Sequence, residues 1–163
     1  MDRPRPPQPV PSPPDGVIAG DRHLYAVRVY YEDTDLSGIT YHANYLRWFE
    51  RARSDLLRRL GIDQRAAIEA GDGAYAVADL QIRYLSPARL DDDILIVTRC
   101  TDLGAASCRM AQQAWRGDDL CAEAALRVGF VAPDGRPRRQ PAPWRERFAR
   151  FIHSNQTEAS LPA

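Results

Sequence analysis

The 163 residues are enough for one domain around a single sizeable core. Net charge is zero, with 22 basic and 22 acidic residues, so the positive excess of a phosphate-neutralising nucleic-acid binder is absent overall. All 22 basic residues are arginine, which excludes a Schiff-base lysine and a P-loop lysine. Cys100, Cys108 and Cys121 fit no zinc or CxxC spacing and read as free thiols of a reducing compartment. No apolar run is long enough to cross a bilayer, and the early arginines precede no apolar stretch of a secretory signal, so a cytoplasmic protein is expected.

The chain opens on "MDRPRPPQPVPSPPDG", which has little to bury. Residues 1–22 are expected to form a proline-rich disordered tail, 23–152 the domain, and 153–163 a flexible C-terminal tail. "HLYAVRVYY" alternates and is rich in β-branched and aromatic residues, the pattern of a strand. An acidic loop follows, with Gly38 as its turn residue. "NYLRWFERARSDLLRRLG" then has helical period, with Tyr45, Phe49, Ala52, Leu56 and Leu60 on one face. Asn44 is placed to cap its start and Gly61 to supply a left-handed stop. A shorter helix, "DQRAAIEAG", is capped by Asp63.

The second half changes period. "AYAVADLQIRYL", "DILIVTRCTDL", "AASCRMAQQAWR" and "LCAEAALRVGFVAP" read as four further strands in an antiparallel meander, and "PWRERFARF" as a terminal helix. This order implies an α+β domain with helices on one face of a five-stranded sheet. The other face and an edge would then need cover, which an oligomer supplies.

"YYEDTDLSGITYHANY" gathers acids, a glycine, a histidine and an amide just before the long helix. "DTDLSG" starts like a calcium loop, but Asn44 stands where the bidentate glutamate belongs and Thr40 where an aliphatic residue is usual. His23, His42 and His153 have no paired spacing for zinc. No metal site is expected. Two readings remain open. Acids ahead of a helix stabilise its positive end and need have no other role. Alternatively, the helix N-terminus polarises a carbonyl, a carboxylate attacks it or deprotonates water, and a histidine orients water or moves a proton. The second set of parts suits acyl transfer to water.

"YYEDTDLSGITYHANYLRWFERAR" resembles the N-terminal signature of hot-dog acyl-CoA thioesterases, in particular the YbgC-type, tol-pal-associated branch of the 4-hydroxybenzoyl-CoA thioesterase family. "LQIRYLSPARLDDDILI" is similar to the same group's strand–turn–strand, and the likeness spans about residues 24–150. The resemblance implies a hot-dog fold, an antiparallel sheet wrapped around one long central helix. It implies a homodimer or homotetramer with sites at the dimer interface, and hydrolysis of acyl-CoA without metal or other cofactor. On the matching positions, Asp35 is the catalytic carboxylate as general base or nucleophile. His42 offers its backbone N–H to the thioester carbonyl, and its side chain assists with water. Tyr31 lies at the base of the site. Glu50 is a substrate-pocket residue and the runner-up for catalysis, while Ala76 and Val77 run past the pantetheine arm or the acyl group. Asp33 is a loop residue. Where some members carry basic residues for the CoA phosphates, this chain has Leu103, Gly104 and Ala105. Arg83, Arg89 and Arg109 are alternative phosphate ligands, and a thioester on an acyl-carrier protein is an alternative substrate. A non-catalytic acyl-binding or scaffolding hot-dog module is the competing reading. The arginine-rich face of the helix reads as a solvated face reaching across a subunit boundary, without nucleic acid.

Overall fold

The computed structural model of the chain describes residue 9 and residues 11–158, with side chains described up to residue 153. Six strands form one antiparallel sheet: β1 (Val17–Ala19), β2 (Arg22–Arg28), β3 (Ala74–Tyr84), β4 (Asp93–Leu103), β5 (Ser107–Arg116) and β6 (Asp119–Val131). Helix α1 (His42–Arg59) and the short α2 (Gln64–Glu69) lie between β2 and β3, and α3 (Ala142–Glu158) follows β6.

The spatial order is β1-β2-β4-β5-β6-β3. The expected meander is therefore corrected. After the two helices the chain enters the far edge beside β6, and the 86–92 connection returns it to β4 next to β2. Among the described residues β3 is left as an open edge of 11 residues. The expected five strands gain a sixth, β1, which pairs with β2 from Val17↔Leu24 to Ala19↔Arg22. The boundary expected at residue 23 thus falls inside a hairpin, because Gly20 at φ 59 turns the chain back into the sheet. The disordered tail expected for 1–8 and 10 lies outside the described residues, as do 159–163. The last helix runs through the expected boundary at 152 to Glu158.

Helix α1 ends as its sequence dictates. Gly61 adopts φ 72, its N–H bonds Arg58 O at 3.0 Å, and Ile62 N–H bonds Leu57 O at 2.9 Å. That pair of bonds satisfies carbonyls the helix leaves open. Asp63 caps α2 by accepting from Ala66 N at 2.9 Å. The N-terminus of α1 differs from expectation. Tyr41 is the N-cap, without a side-chain bond, and Asn44 is buried and donates to Asp33 O at 2.7 Å. The side chain that a local rule assigns to capping is drawn off to an acceptor eleven residues back.

The sheet covers more of α1 than the expected stripe. Trp48, Arg53, Asp55 and Leu57 are buried alongside Tyr45, Phe49, Ala52 and Leu56. Two apolar clusters follow along the helix. One gathers Tyr45, Trp48, Phe49 and Ala52 with Ile94, Ile96 and Ala114; the other gathers Leu56 and Leu57 with Cys100, Met110, Val128 and Phe148. Each large apolar side chain so buried contributes about 1.5–3 kcal/mol. Between the clusters runs a polar layer. Thr98 and Gln112, which face each other across β4 and β5, occupy inward positions. Gln112 Nε2 donates to Phe49 O (3.0 Å) and to Thr98 Oγ1 (2.9 Å), and Gln112 Oε1 accepts from Arg53 Nη1 (2.7 Å). A buried guanidinium is tolerated because its donors are met.

Candidate active site

The acidic loop is pinched shut by an isolated bridge between Thr34 and Thr40. Within it, Asp35 N–H bonds Ile39 O (3.1 Å) and Gly38 N–H bonds Asp35 O (3.0 Å), with Gly38 at φ 75. The two aspartates of D-x-D do different work. Asp33 is buried. Its Oδ2 accepts from Tyr30 N (2.8 Å), and its carbonyl accepts from Tyr41 N (2.8 Å) and from Asn44. It therefore fixes the approach to α1 and is occupied by that task. Asp35 is exposed. Its Oδ1 accepts from Ser37 N at 2.8 Å and from the Ser37 hydroxyl, while Oδ2 has no hydrogen-bond partner among the described residues. The Ser37 bonds, aided by nearby His42, hold the Asp35 carboxyl below the usual carboxylate range. It is an anion at neutral pH with one oxygen steadied and one available.

His42 is the first residue of α1. First-turn amides of a helix have no acceptor within it, and they carry its positive end. The His42 ring lies 4.4 Å from Tyr41 and 6.1 Å, edge on, from Tyr84, whose hydroxyl donates to His42 O at 3.0 Å. Asp35 and His42 together line a cleft of about 500 Å³ whose other walls are Ile39, Thr40, Tyr45, Tyr84, Leu85, Ser86 and Pro87. Burial pushes the Tyr45 phenol up to about 12, so it stays protonated and neutral in this wall. A carboxylate, the first residue of a helix and an apolar wall thus meet in one cleft. Such a site can polarise a carbonyl and attack it, directly or through water.

The other expected residues lie elsewhere on the chain. Glu50 is two turns further along α1 and lines a second cavity, of about 90 Å³, with Arg53, Ser54, Leu57, Gln64, Tyr75, Val77, Cys108, Met110, Val128 and Phe148. Both its oxygens are taken, Oε2 by Arg53 Nη2 at 2.5 Å and Oε1 by Ser54 Oγ at 3.1 Å. Val77 belongs to this second cavity; its neighbour Ala76, exposed on β3, does not line it. Tyr31 sits in a single 3-10 turn, 83% exposed, and lines neither cavity. The structure therefore brings Asp35 and His42 together, sets Glu50 with Val77, and leaves Tyr31 apart. Tyr84 and Pro87 are site walls that sequence reasoning did not single out, although they lie in the "RYLSPARL" stretch. Among the described residues there is no cluster of three or more His, Cys, Asp or Glu side chains able to hold a metal. No helix there is long and apolar enough to cross a membrane.

A family model described as the thioesterase superfamily matches residues 37–123, which takes in the end of the loop, α1 and the sheet as far as β6. An acyl-CoA thioesterase YbgC of Haemophilus influenzae is 38% identical over 107 residues, 66% of this chain and 79% of that protein. An acyl-CoA thioester hydrolase YbgC of Escherichia coli O157:H7 is 39% identical over 110 residues, covering 67% and 81%. Among solved structures, a probable thioesterase from Bartonella henselae superposes with a TM-score of 0.70 at 34% identity, covering 74% of this chain and 99% of that one. A DHNA-CoA thioesterase from Staphylococcus aureus, 20% identical, shares the fold with a TM-score of 0.76 over 86% of this chain and 97% of its own. With the loop-to-helix motif, the sheet around α1 and these likenesses in agreement, the chain belongs to the thioesterase superfamily and has the hot-dog fold.

Proposed function

We propose that the protein hydrolyses acyl-CoA thioesters in the Asp35–His42 cleft. One observation carries this reading: the exposed Asp35 carboxylate, held below the usual carboxylate range, and His42, the first residue of α1, line the same cleft. The His42 amide binds the thioester oxygen and stabilises the oxyanion that develops there. Two routes balance. In one, Asp35 takes a proton from water, the resulting hydroxide adds to the carbonyl carbon, and the tetrahedral adduct expels CoA thiolate to leave the acid. In the other, Asp35 Oδ2 adds to the carbonyl, thiolate leaves, and water cleaves the mixed anhydride to regenerate the carboxylate. The similarity to proteins named acyl-CoA thioesterases supports the substrate class.

The working unit in this reading is a homodimer joined along β3. The open edge offers a row of unpaired backbone groups. Its Tyr84 end carries the Asp35 cleft, and its Tyr75–Val77 end carries the Glu50 cavity. Antiparallel pairing of two such edges centred near Leu80 sets Tyr84 opposite Ala76 of the partner subunit. The cleft of one subunit then faces the cavity of the other, which gives Ala76 and Val77 a place beside substrate. Within one subunit His42 and Glu50 are eight residues apart on α1, roughly 12 Å at ~1.5 Å per residue.

The test is thiol release by wild type and Asp35→Asn on short, long and aromatic acyl-CoAs. The substitution keeps size and removes the base. A fall of ~10²-fold or more in kcat with retained folding is expected. Full activity in Asp35→Asn would move the chemistry to Glu50. The β4–β5 turn, Leu103 to Ala105, offers no cation for a CoA phosphate and is bonded instead by Gln140. The panel therefore includes a carrier-protein thioester, and release from neither carrier would mark a binding module.

A further inference from the structure

The second cavity has a graded wall. Its outward-facing members are Glu50 and Val77, both exposed, with Ser54 and Gln64 half-buried. Its buried members are the Arg53 guanidinium and the apolar Leu57, Cys108, Met110, Val128 and Phe148, and Phe148 is fully enclosed. The exposed members therefore mark a mouth, and the apolar side chains gather at the buried end, with Arg53 between them tied to Glu50 and Gln112. At the mouth the Glu50 carboxylate is held rigid by Arg53 and Ser54, so it cannot fold inward to fill the space. A narrow apolar slot of about 90 Å³ with a fixed polar rim suits a short unbranched hydrocarbon. At about 30 Å³ for each water-sized group it has room for roughly three such groups.

The blind end is closed by a different element from the one that builds the rest. Leu57 comes from α1 and Tyr75, Cys108, Met110 and Val128 from the sheet, whereas among the described residues α3 contributes Phe148. Helix α3 lies beyond the 37–123 segment that the superfamily shares. It is pinned in place by its own contacts. Tyr75 packs against Trp144 (5.8 Å) and Phe148 (6.5 Å), Phe130 packs against Trp144 (5.6 Å), and Arg147 donates to Gly61 O at the end of α1. Tyr75 O–H donates to Gln140 at 2.7 Å just ahead of the helix.

We propose that the Glu50–Val77 slot holds the distal end of the acyl chain and that Phe148, presented by α3, is the stop that sets its length. The inference rests on the thioesterase reading for the identity of the ligand, and its test reads binding, not turnover. S-alkyl-CoA thioethers from ethyl to dodecyl, which no hydrolase can cleave at a carbonyl, are titrated calorimetrically into the full-length protein. Each methylene buried in an apolar slot adds about fourfold in affinity. In wild type this rise is expected to halt after roughly three methylenes enter the slot. In Phe148→Ala it is expected to continue for two or more further carbons, with Phe148→Leu in between. Val77→Phe, on the β3 edge and outside the core clusters, is expected to flatten the series by blocking the mouth while the oligomeric state, read by size-exclusion chromatography, stays that of wild type. An unchanged breakpoint in folded Phe148→Leu, or an unchanged series in Val77→Phe, overturns the assignment, as does a wild-type affinity independent of chain length. If thioethers bind with a Phe148-dependent breakpoint while no acyl-CoA releases thiol, the length stop stands and the hydrolase reading falls.

Discussion

The most informative single perturbation away from the cleft is acidification of the His23–Asp55 pair. His23 is fully buried in β2, and its Nε2 lies 2.6 Å from Asp55 Oδ2 on α1. The same oxygen accepts from Gly16 N at 3.0 Å, so one carboxylate ties the N-terminal strap, β2 and the central helix. His23 Nδ1 has no partner among the described residues. A neutral ring with the proton on Nε2 leaves Nδ1 as a bare lone pair, whereas an imidazolium would bury an N–H donor with nothing to receive it. Burial accordingly lowers the His23 value from 6.5, outweighing the pull of Asp55, and Arg59 pushes the same way as burial. The unfolded chain therefore binds more protons below pH 6.5 than the folded one does. Stability is complete above that value and declines as the pH falls toward the lowered folded value. One proton contributes a slope of at most ~1.4 kcal/mol per pH unit, so one unit below 6.5 the loss has a ceiling of about 1.4 kcal/mol. Urea unfolding of wild type and His23→Gln, from about pH 8 to about pH 5.5, isolates this contribution because the other titrating groups are common to both. The wild-type curve should fall relative to the variant's by roughly 1 kcal/mol at the acid end. Parallel profiles, or wild-type stability that grows on acidification, would refute a neutral buried His23.

Two further changes probe the same architecture. Gly16→Ala places a Cβ 2.5 Å from both Asp55 Oδ2 and His23 Nε2 and 2.7 Å from Leu24 O, so about 1–3 kcal/mol of stability should be lost. Thermal unfolding reads it, and a neutral result would show that the strap is not fixed by this contact. Gln112→Leu strips the Arg53 guanidinium of its buried acceptor and Thr98 of a partner. About 1.5–3 kcal/mol should disappear from chemical denaturation curves, because Arg53 keeps its Glu50 partner but loses a buried hydrogen bond made by a charged group.

Local pattern was enough for some elements. The 3.6-residue period fixed α1, Gly61 fixed its end, and alternation placed β4 at Asp93–Leu103, the bounds observed. What was not legible depends on distant chain. β1 is three residues long behind a proline-rich run, and it forms because β2 offers an edge. The pairing of β3 with β6 has no signature in either strand, since each alternates equally well beside any neighbour. Asn44 followed a tertiary acceptor over a local one. In the candidate site, Asp35 and His42 were readable because seven residues separate them, while Tyr84 reaches the same cleft from 42 residues away. Thr98 and Gln112 are polar residues at inward strand positions. Their meaning came only with Arg53, which sits on another element.

That polar layer also sets apart the way two acids on the same stretch of chain are held. Asp35 hangs from a loop that a backbone bridge closes, with one oxygen steadied by Ser37 and the other open. It can change bonding partners during a reaction without disturbing the core. Glu50 is wired through Arg53 to Gln112 and from there to Thr98 and Phe49. Taking up a proton or an acyl group at Glu50 would release Arg53 and strand a buried cation, a cost of several kcal/mol. The fixed carboxylate is suited to shaping a pocket rim, and the loosely held one to chemistry. On the proposed function the helix divides into three segments: His42 at the carbonyl, a middle that holds the Glu50 rim, and last turns that meet α3 around the slot.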